Sequence, residues 1–175
     1  IGLTPYWDWE GFISEAINFT RKVLNRAENQ LETEGMFLRQ DKSINWSEDL
    51  NELRENLANW LMLTGHNEEA LNLFQSLLLS FSTSKNNPVW QASLFRKSGN
   101  TWLSRRDYAL ALSLYEQAEG LLASMEDSSN PSRWEEWLNI QIEKMSLYYE
   151  INNLPAIEEI LPETKRILDQ FGTAR

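Results

Sequence analysis

The stretch NPVWQASLFRKSGNTWLSRRDYALALSLYEQA, residues 87–118, decides the fold. It opens on Asn87-Pro88, which stops one helix and starts another. Proline has no N–H to donate, and its fixed φ suits a first helical turn. Phe95, Gly99 and Trp102 then recur at helical spacing on one face, and Arg105-Arg106-Asp107 forms a short polar turn. Beyond it, Ala111, Leu114, Tyr115, Ala118, Leu121 and Leu122 follow i, i+3, i+4 spacing. The stretch therefore predicts two amphipathic helices joined by a tight turn.

The same pattern extends in both directions. Trp90 lies 44 residues after Trp46 and 44 before Trp134, and each tryptophan opens a helical pattern behind a polar loop: 41–45, 82–87 and 126–130. The preceding unit has Leu53, Leu57, Ala58 and Leu61, a turn at Thr64-Gly65-His66-Asn67, then Ala70, Leu71, Phe74 and Leu77. The following unit has Trp137, Ile140, Leu147 and Tyr148, a turn at Asn152-Asn153, then Ala156, Ile157, Ile160, Ile167 and Leu168. Pro155 suits the start of that last helix, while Pro162 predicts a kink or break inside it. At the N-terminus, Tyr6, Trp7 and Trp9 read as the end of a first helix and Gly11 as a turn. Ala16, Ile17, Thr20, Val23, Leu24, Ala27 and Leu31 read as a second helix. The expectation is one helical-repeat domain over 1–175, in units 1–40 (truncated), 41–86, 87–130 and 131–175. A start in mid-repeat predicts a fragment of a longer protein. Helix should exceed about 60% with no sheet, against roughly a third in an average globular chain.

Composition narrows the function. Seven glycines and five prolines are too few for a many-turned sandwich or barrel. No apolar run approaches the roughly 20 residues of a membrane helix. The first ten residues also lack the basic start and apolar block of a signal peptide. The absence of cysteine excludes disulfides and thiolate metal sites and fits a reducing compartment, the cytoplasm. With 26 Asp and Glu against 16 Lys and Arg, net −10, the surface field repels phosphate backbones. Neither nucleic acid nor membrane is expected as a partner.

Nor do the residues of an enzyme converge. His66, the one histidine, falls in a turn, where a single base or ligand without partners does no chemistry. No two glycines share a phosphate-loop motif. Glu68-Glu69, Glu135-Glu136 and Glu158-Glu159 are adjacent, so on a helix each pair diverges. No catalytic residue, metal site or cofactor is expected. Trp60, Trp102 and Trp137 have core spacing; Trp46, Trp90 and Trp134 are expected to pack on the preceding helix pair.

Phe95-x2-Ser98-Gly99-x2-Trp102 followed by Ala111-x3-Tyr115 resembles the tetratricopeptide signature, as do Leu57-Ala58-x2-Leu61 and Ala70-x3-Phe74. A Gly or Ala lets two helices approach, and a large ring fills the space beside it. The family period is 34 residues and here it is longer, as in the long repeats of kinesin light chains. The chain also looks like the repeats of NB-ARC and related signalling ATPases, where segments like Tyr6-Trp7-Asp8-Trp9-Glu10-Gly11 open the array. HEAT and armadillo repeats share the period but lack the Gly/Ala-and-aromatic pattern.

The resemblance implies an all-α, right-handed solenoid of antiparallel helix pairs and a non-catalytic module that binds a protein or peptide. Its first helices would line a concave groove. The positions that match the groove are Glu55, Asn59 and Met62; Arg96, Asn100 and Leu103; and Gln141, Met145 and Tyr148. Asn59 and Asn100 share a repeat position from which an amide can both donate to and accept from a peptide backbone. Glu55 stands where members that clamp a terminal carboxylate carry lysine. The alternatives are an architectural or self-associating segment and a small-molecule sensor.

Overall fold

The computed structural model describes residues 4–34, 46–81, 87–127 and 129–171. Among them are seven α-helices and no strand: α1 (Thr4–Glu34), α2 (Trp46–Leu63), α3 (Asn67–Phe81), α4 (Pro88–Ser104), α5 (Tyr108–Ala123), α6 (Pro131–Glu150) and α7 (Leu154–Phe171). The expectation of a helical chain without sheet holds for these residues. The loops expected at 41–45 and 82–86 lie outside them, as do the side chains of Tyr6, Trp7, Trp9, Leu31 and Trp46. None of the described helices is long and apolar enough to cross a membrane.

The chain divides into two compact units, Ile1–Leu77 and Leu78–Arg175. In the first, α1 corrects the sequence reading: Gly11 is not a turn but lies within one continuous helix. A glycine inside a helix costs only about 1 kcal/mol. The stripe of Ile13, Ile17, Thr20 and Leu24, all buried, repays that by carrying the helix on. Leu57, Ala58, Leu61, Ala70, Phe74 and Leu77 are buried in the same unit. Arg54 of α2 and Glu69 of α3 form ion pairs with Glu28 and Arg21 of α1.

In the second unit, α4 and α6 begin alike. Asn87 Oδ1 accepts from the Trp90 N–H at 3.1 Å and Asn130 Oδ1 from the Ser132 N–H at 3.0 Å, each with proline at the next position. These side chains satisfy N–H groups that a helix start leaves orphaned. Helix α5 packs on α4, and α6 touches both. Their core joins Ala92, Ala111, Tyr115, Ala118, Leu122, Ile140 and Leu147, with Phe95, Trp102, Trp137 and Tyr148 packed around it. Ala111 is fully buried. Trp134 stacks on Phe171 of its own pair at 5.0 Å and shares a cleft wall with Gly120 and Ala123 of α5, in the preceding pair. Helix α7 runs through Pro162 without a break. Proline at 162 has no N–H to offer the Glu158 carbonyl, and both residues are exposed, which leaves that carbonyl open to solvent.

Three turns share one hydrogen-bond pattern and set the register. The N–H groups of Gly65, Arg106 and Asn152 donate to the carbonyls of Met62, Leu103 and Tyr149. The next N–H groups, from His66, Asp107 and Asn153, donate to Leu61, Trp102 and Tyr148. This is the Schellman ending, whose left-handed residue favours glycine. Gly65, Arg106 and Asn152 all have positive φ, at 79°, 62° and 56°. Gly65 and Arg106 are 41 residues apart, Arg106 and Asn152 46. Tyr149 therefore stands at the position of Leu103, and Tyr148 at that of Trp102.

Candidate functional site

Helices α4 and α6 lie together along a line of polar side chains. Arg96 and Asn100, one turn apart on α4, face Glu136 and Glu143, two turns apart on α6. Arg96 Nε donates to Glu136 Oε1 at 2.7 Å and its Nη2 to Oε2 at 3.3 Å. Glu143 Oε1 lies 3.9 Å from Arg96 Nη1 and accepts from Asn100 Nδ2 at 2.9 Å. From α5, the Tyr115 hydroxyl donates to Asn100 Oδ1 at 2.7 Å. Burial holds the Tyr115 hydroxyl well above the usual phenol range. The Glu143 carboxylate adds to the shift and Arg96 opposes it.

Gly99 makes this arrangement possible. A Cβ there would fall 2.5 Å from Cε1 and 2.8 Å from Cδ1 of Tyr115. The ring thus lies against bare backbone, one residue from the amide it reaches. On the other side of α6, Gln141 Nε2 and Lys144 Nζ both donate to Glu119 of α5, the lysine at 2.7 Å. Gln141 is buried.

The nine residues expected to line a groove are distributed as follows. Arg96 and Asn100 meet in the α4–α6 network. Gln141 is turned to Glu119, apart from that network. Leu103 and Tyr148 pack against the hydrophobic core. Met145 is half-buried on α6. Glu55, Asn59 and Met62 belong to the first unit and are half-buried there; Asn59 Oδ1 has no hydrogen-bond partner. Tyr115, Glu136 and Glu143 complete the network and were missed. The signal was in the sequence: Arg96 and Asn100 at i, i+4 against two carboxylates at i, i+7 on the next first helix.

Clefts open at both ends of the network. One of about 490 Å³ lies between the starts of α4 and α6, with Trp90, Ser93, Glu135, Glu136 and Asn139 among its walls. Another of about 340 Å³ is lined by Leu103, Ser104, Arg106, Tyr108 and Glu150. His66 sits in the α2–α3 turn with Nδ1 2.9 Å from Thr64 Oγ1. Among the described residues no three His, Asp or Glu side chains gather as a metal site. Comparison with known proteins found no matching family model and no matching curated protein.

Proposed function

We propose that the chain is a non-catalytic helical-repeat module of the tetratricopeptide kind, a right-handed α-solenoid that binds an extended peptide or protein segment. It would serve as the sensor or scaffold array of a larger cytoplasmic regulatory protein. The observation that carries this reading is the α4–α6 face. Two equivalent first helices are braced by Arg96, Asn100, Glu136 and Glu143, with a cleft at each end of the brace. The recurrence of the Schellman turn and the small residues Ala58 and Gly99 at one repeat position add support.

Arg96 and Asn100 serve this function by fixing the face rather than by offering free ends, because each is already partnered. A ligand backbone meets Ser93 and Asn139, and the Trp90 ring supplies the apolar anchor that dominates such contacts. Glu135 favours a basic residue on the ligand, and the net charge of −10 draws such a ligand in.

A randomised peptide library panned against the chain tests this. Enriched peptides should carry basic residues, and Trp90→Ala should weaken their binding about tenfold or more, the loss of one aromatic anchor. Glu116→Ala, on the exposed side of α5, should leave binding unchanged. Peptides that bind Trp90→Ala as tightly as wild type would remove the face from consideration.

A further inference from the structure

The 46-residue register shows what is unusual about α7. It places Leu154, Leu161 and Leu168 at the positions of Tyr108, Tyr115 and Leu122 on α5. Tyr115 and Leu122 are 0% and 1% exposed, because Ile140 and Leu147 of α6 share their core. Their counterparts Leu161 and Leu168 are 50% and 54% exposed, and Leu154 is 51%. On α6, Ile142 and Tyr149 occupy the positions of Arg96 and Leu103 and are also exposed. Among the described residues the α6/α7 pair therefore presents, bare, the face that the α4/α5 pair keeps covered. Exposed apolar surface of this continuity marks an interaction site.

We propose that this face binds a second copy of the chain, with α7 antiparallel to α7 of the partner about a two-fold axis at Leu161. The three leucines are spaced seven apart, which forms a seam on a helix. The seam is symmetric about its centre, so antiparallel pairing sets Leu161 against Leu161 and Leu154 against Leu168. The same pairing brings Glu158 within one residue of the level of Lys165, twice by symmetry; both are exposed on α7, each four residues after a seam leucine. Parallel pairing would instead level Glu158 with Glu158 and Lys165 with Lys165 and make no such pair. Charge complementarity at these flanking positions chooses partner and orientation. Ile142 and Tyr149 widen the interface on the α6 side. The inference is independent of the peptide-binding reading, since the α4–α6 brace lies elsewhere in the unit.

Sedimentation velocity of the whole chain from low to high micromolar concentration should show the mass doubling. Leu161→Asp should keep it monomeric with unchanged helical circular dichroism, since Leu161 is half exposed. Glu158→Lys should weaken the dimer about tenfold through two lost pairs and two new repulsions, and Glu158→Lys with Lys165→Glu should restore it. The sequence contains no cysteine, so introduced thiols report orientation cleanly. Leu154→Cys mixed with Leu168→Cys should give a mixed disulfide. A chain that stays monomeric throughout, or a dimer that survives Leu161→Asp, overturns the proposal. So does mixed cross-linking that fails in a dimer.

Discussion

Two helix pairs, α2/α3 in the first unit and α4/α5 in the second, share the same turn but solve one packing problem differently. In the second, Gly99 is followed by Asn100 and faced by Tyr115, whose hydroxyl satisfies the asparagine oxygen at 2.7 Å. Forty-one residues earlier the same positions hold Ala58, Asn59 and Phe74. Ala58 and Phe74 are fully buried, and Asn59 Oδ1 has no hydrogen-bond partner. One methyl more and one hydroxyl fewer accompany the loss of a hydrogen bond. The two changes belong together. A ring placed as Tyr115 is placed cannot coexist with a Cβ on the small residue. Only glycine lets the ring approach the asparagine, and only tyrosine gains from that approach.

The largest effect should come from Gly99→Ala. The added methyl would sit 2.5 Å from the Tyr115 ring. That ring is itself enclosed by the core of α4, α5 and α6 and cannot move aside freely. Overpacking of this kind costs about 1–3 kcal/mol, and here the upper end is expected. Alanine's better helix propensity returns at most about 1 kcal/mol. The melting temperature should fall by roughly 4–8 °C, at about 2–4 °C per kcal/mol for a chain of this size. No fall would mean that glycine is incidental and the contrast between the pairs empty.

A smaller loss is expected from Tyr115→Phe, which turns the second pair into a copy of the first at that position. Asn100 Oδ1 would lose its donor while its amide stays bound to Glu143. The cost should be about 1–2 kcal/mol. The substitution should also alter the response to alkali. Burial holds the folded Tyr115 hydroxyl above the ordinary phenol value of 10.0. Below pH 10 both folded and unfolded states hold the proton, and the contribution is fully present. As pH rises past 10 the unfolded state releases its proton first, and stability falls. Tyr115→Phe should remove that part of the decline, so the gap in melting temperature between the two proteins narrows above pH 10. A constant gap would deny Tyr115 its raised pKa.

Particular residues show what the sequence made legible. Asn87-Pro88 and Asn130-Pro131 mark the starts of α4 and α6 because their chemistry is local: a cap and a fixed φ. Gly11 reads as a turn and Pro162 as a kink or break, yet α1 and α7 continue as helix through both residues, because continuous apolar stripes outweigh one weak residue in each. Asn59 and Asn100 were correctly seen as equivalent, but equivalence does not reveal a partner. Asn100 takes its partners from residues 15 and 43 positions away, distances fixed only once the helices pack. The groove positions on α6 are displaced for a related reason. Gln141, Met145 and Tyr148 follow Arg96, Asn100 and Leu103 by 45 residues, whereas the hydrogen-bonded turn at Asn152 sets the step at 46. A slip of one residue rotates a helix by about 100°, enough to exchange Tyr148 in the core for Tyr149 in solvent.

The smallest and sharpest test rebuilds the second arrangement in the first unit. Phe74→Tyr alone should gain nothing or cost a little, because Ala58 keeps the ring from the pose in which a hydroxyl meets Asn59. Ala58→Gly alone should cost about 1 kcal/mol in helix propensity, plus the packing of one buried methyl. Made together, the two substitutions should supply Asn59 Oδ1 with a donor, worth about 1 kcal/mol for a neutral hydrogen bond. The double variant would then sit roughly 1 kcal/mol below wild type, closer than Ala58→Gly alone. The informative quantity is the coupling, the amount by which the pair exceeds the sum of the single changes, expected at about +1 kcal/mol. Adding Asn59→Leu should abolish that coupling, because the bond then has no acceptor. Urea midpoints with an unchanged m-value would measure all the variants on one scale. Strict additivity, with Phe74→Tyr equally costly beside Ala58 or its glycine replacement, would show that the small residue and the ring are independent choices. The missing bond of Asn59 would then need another cause than the methyl beside it.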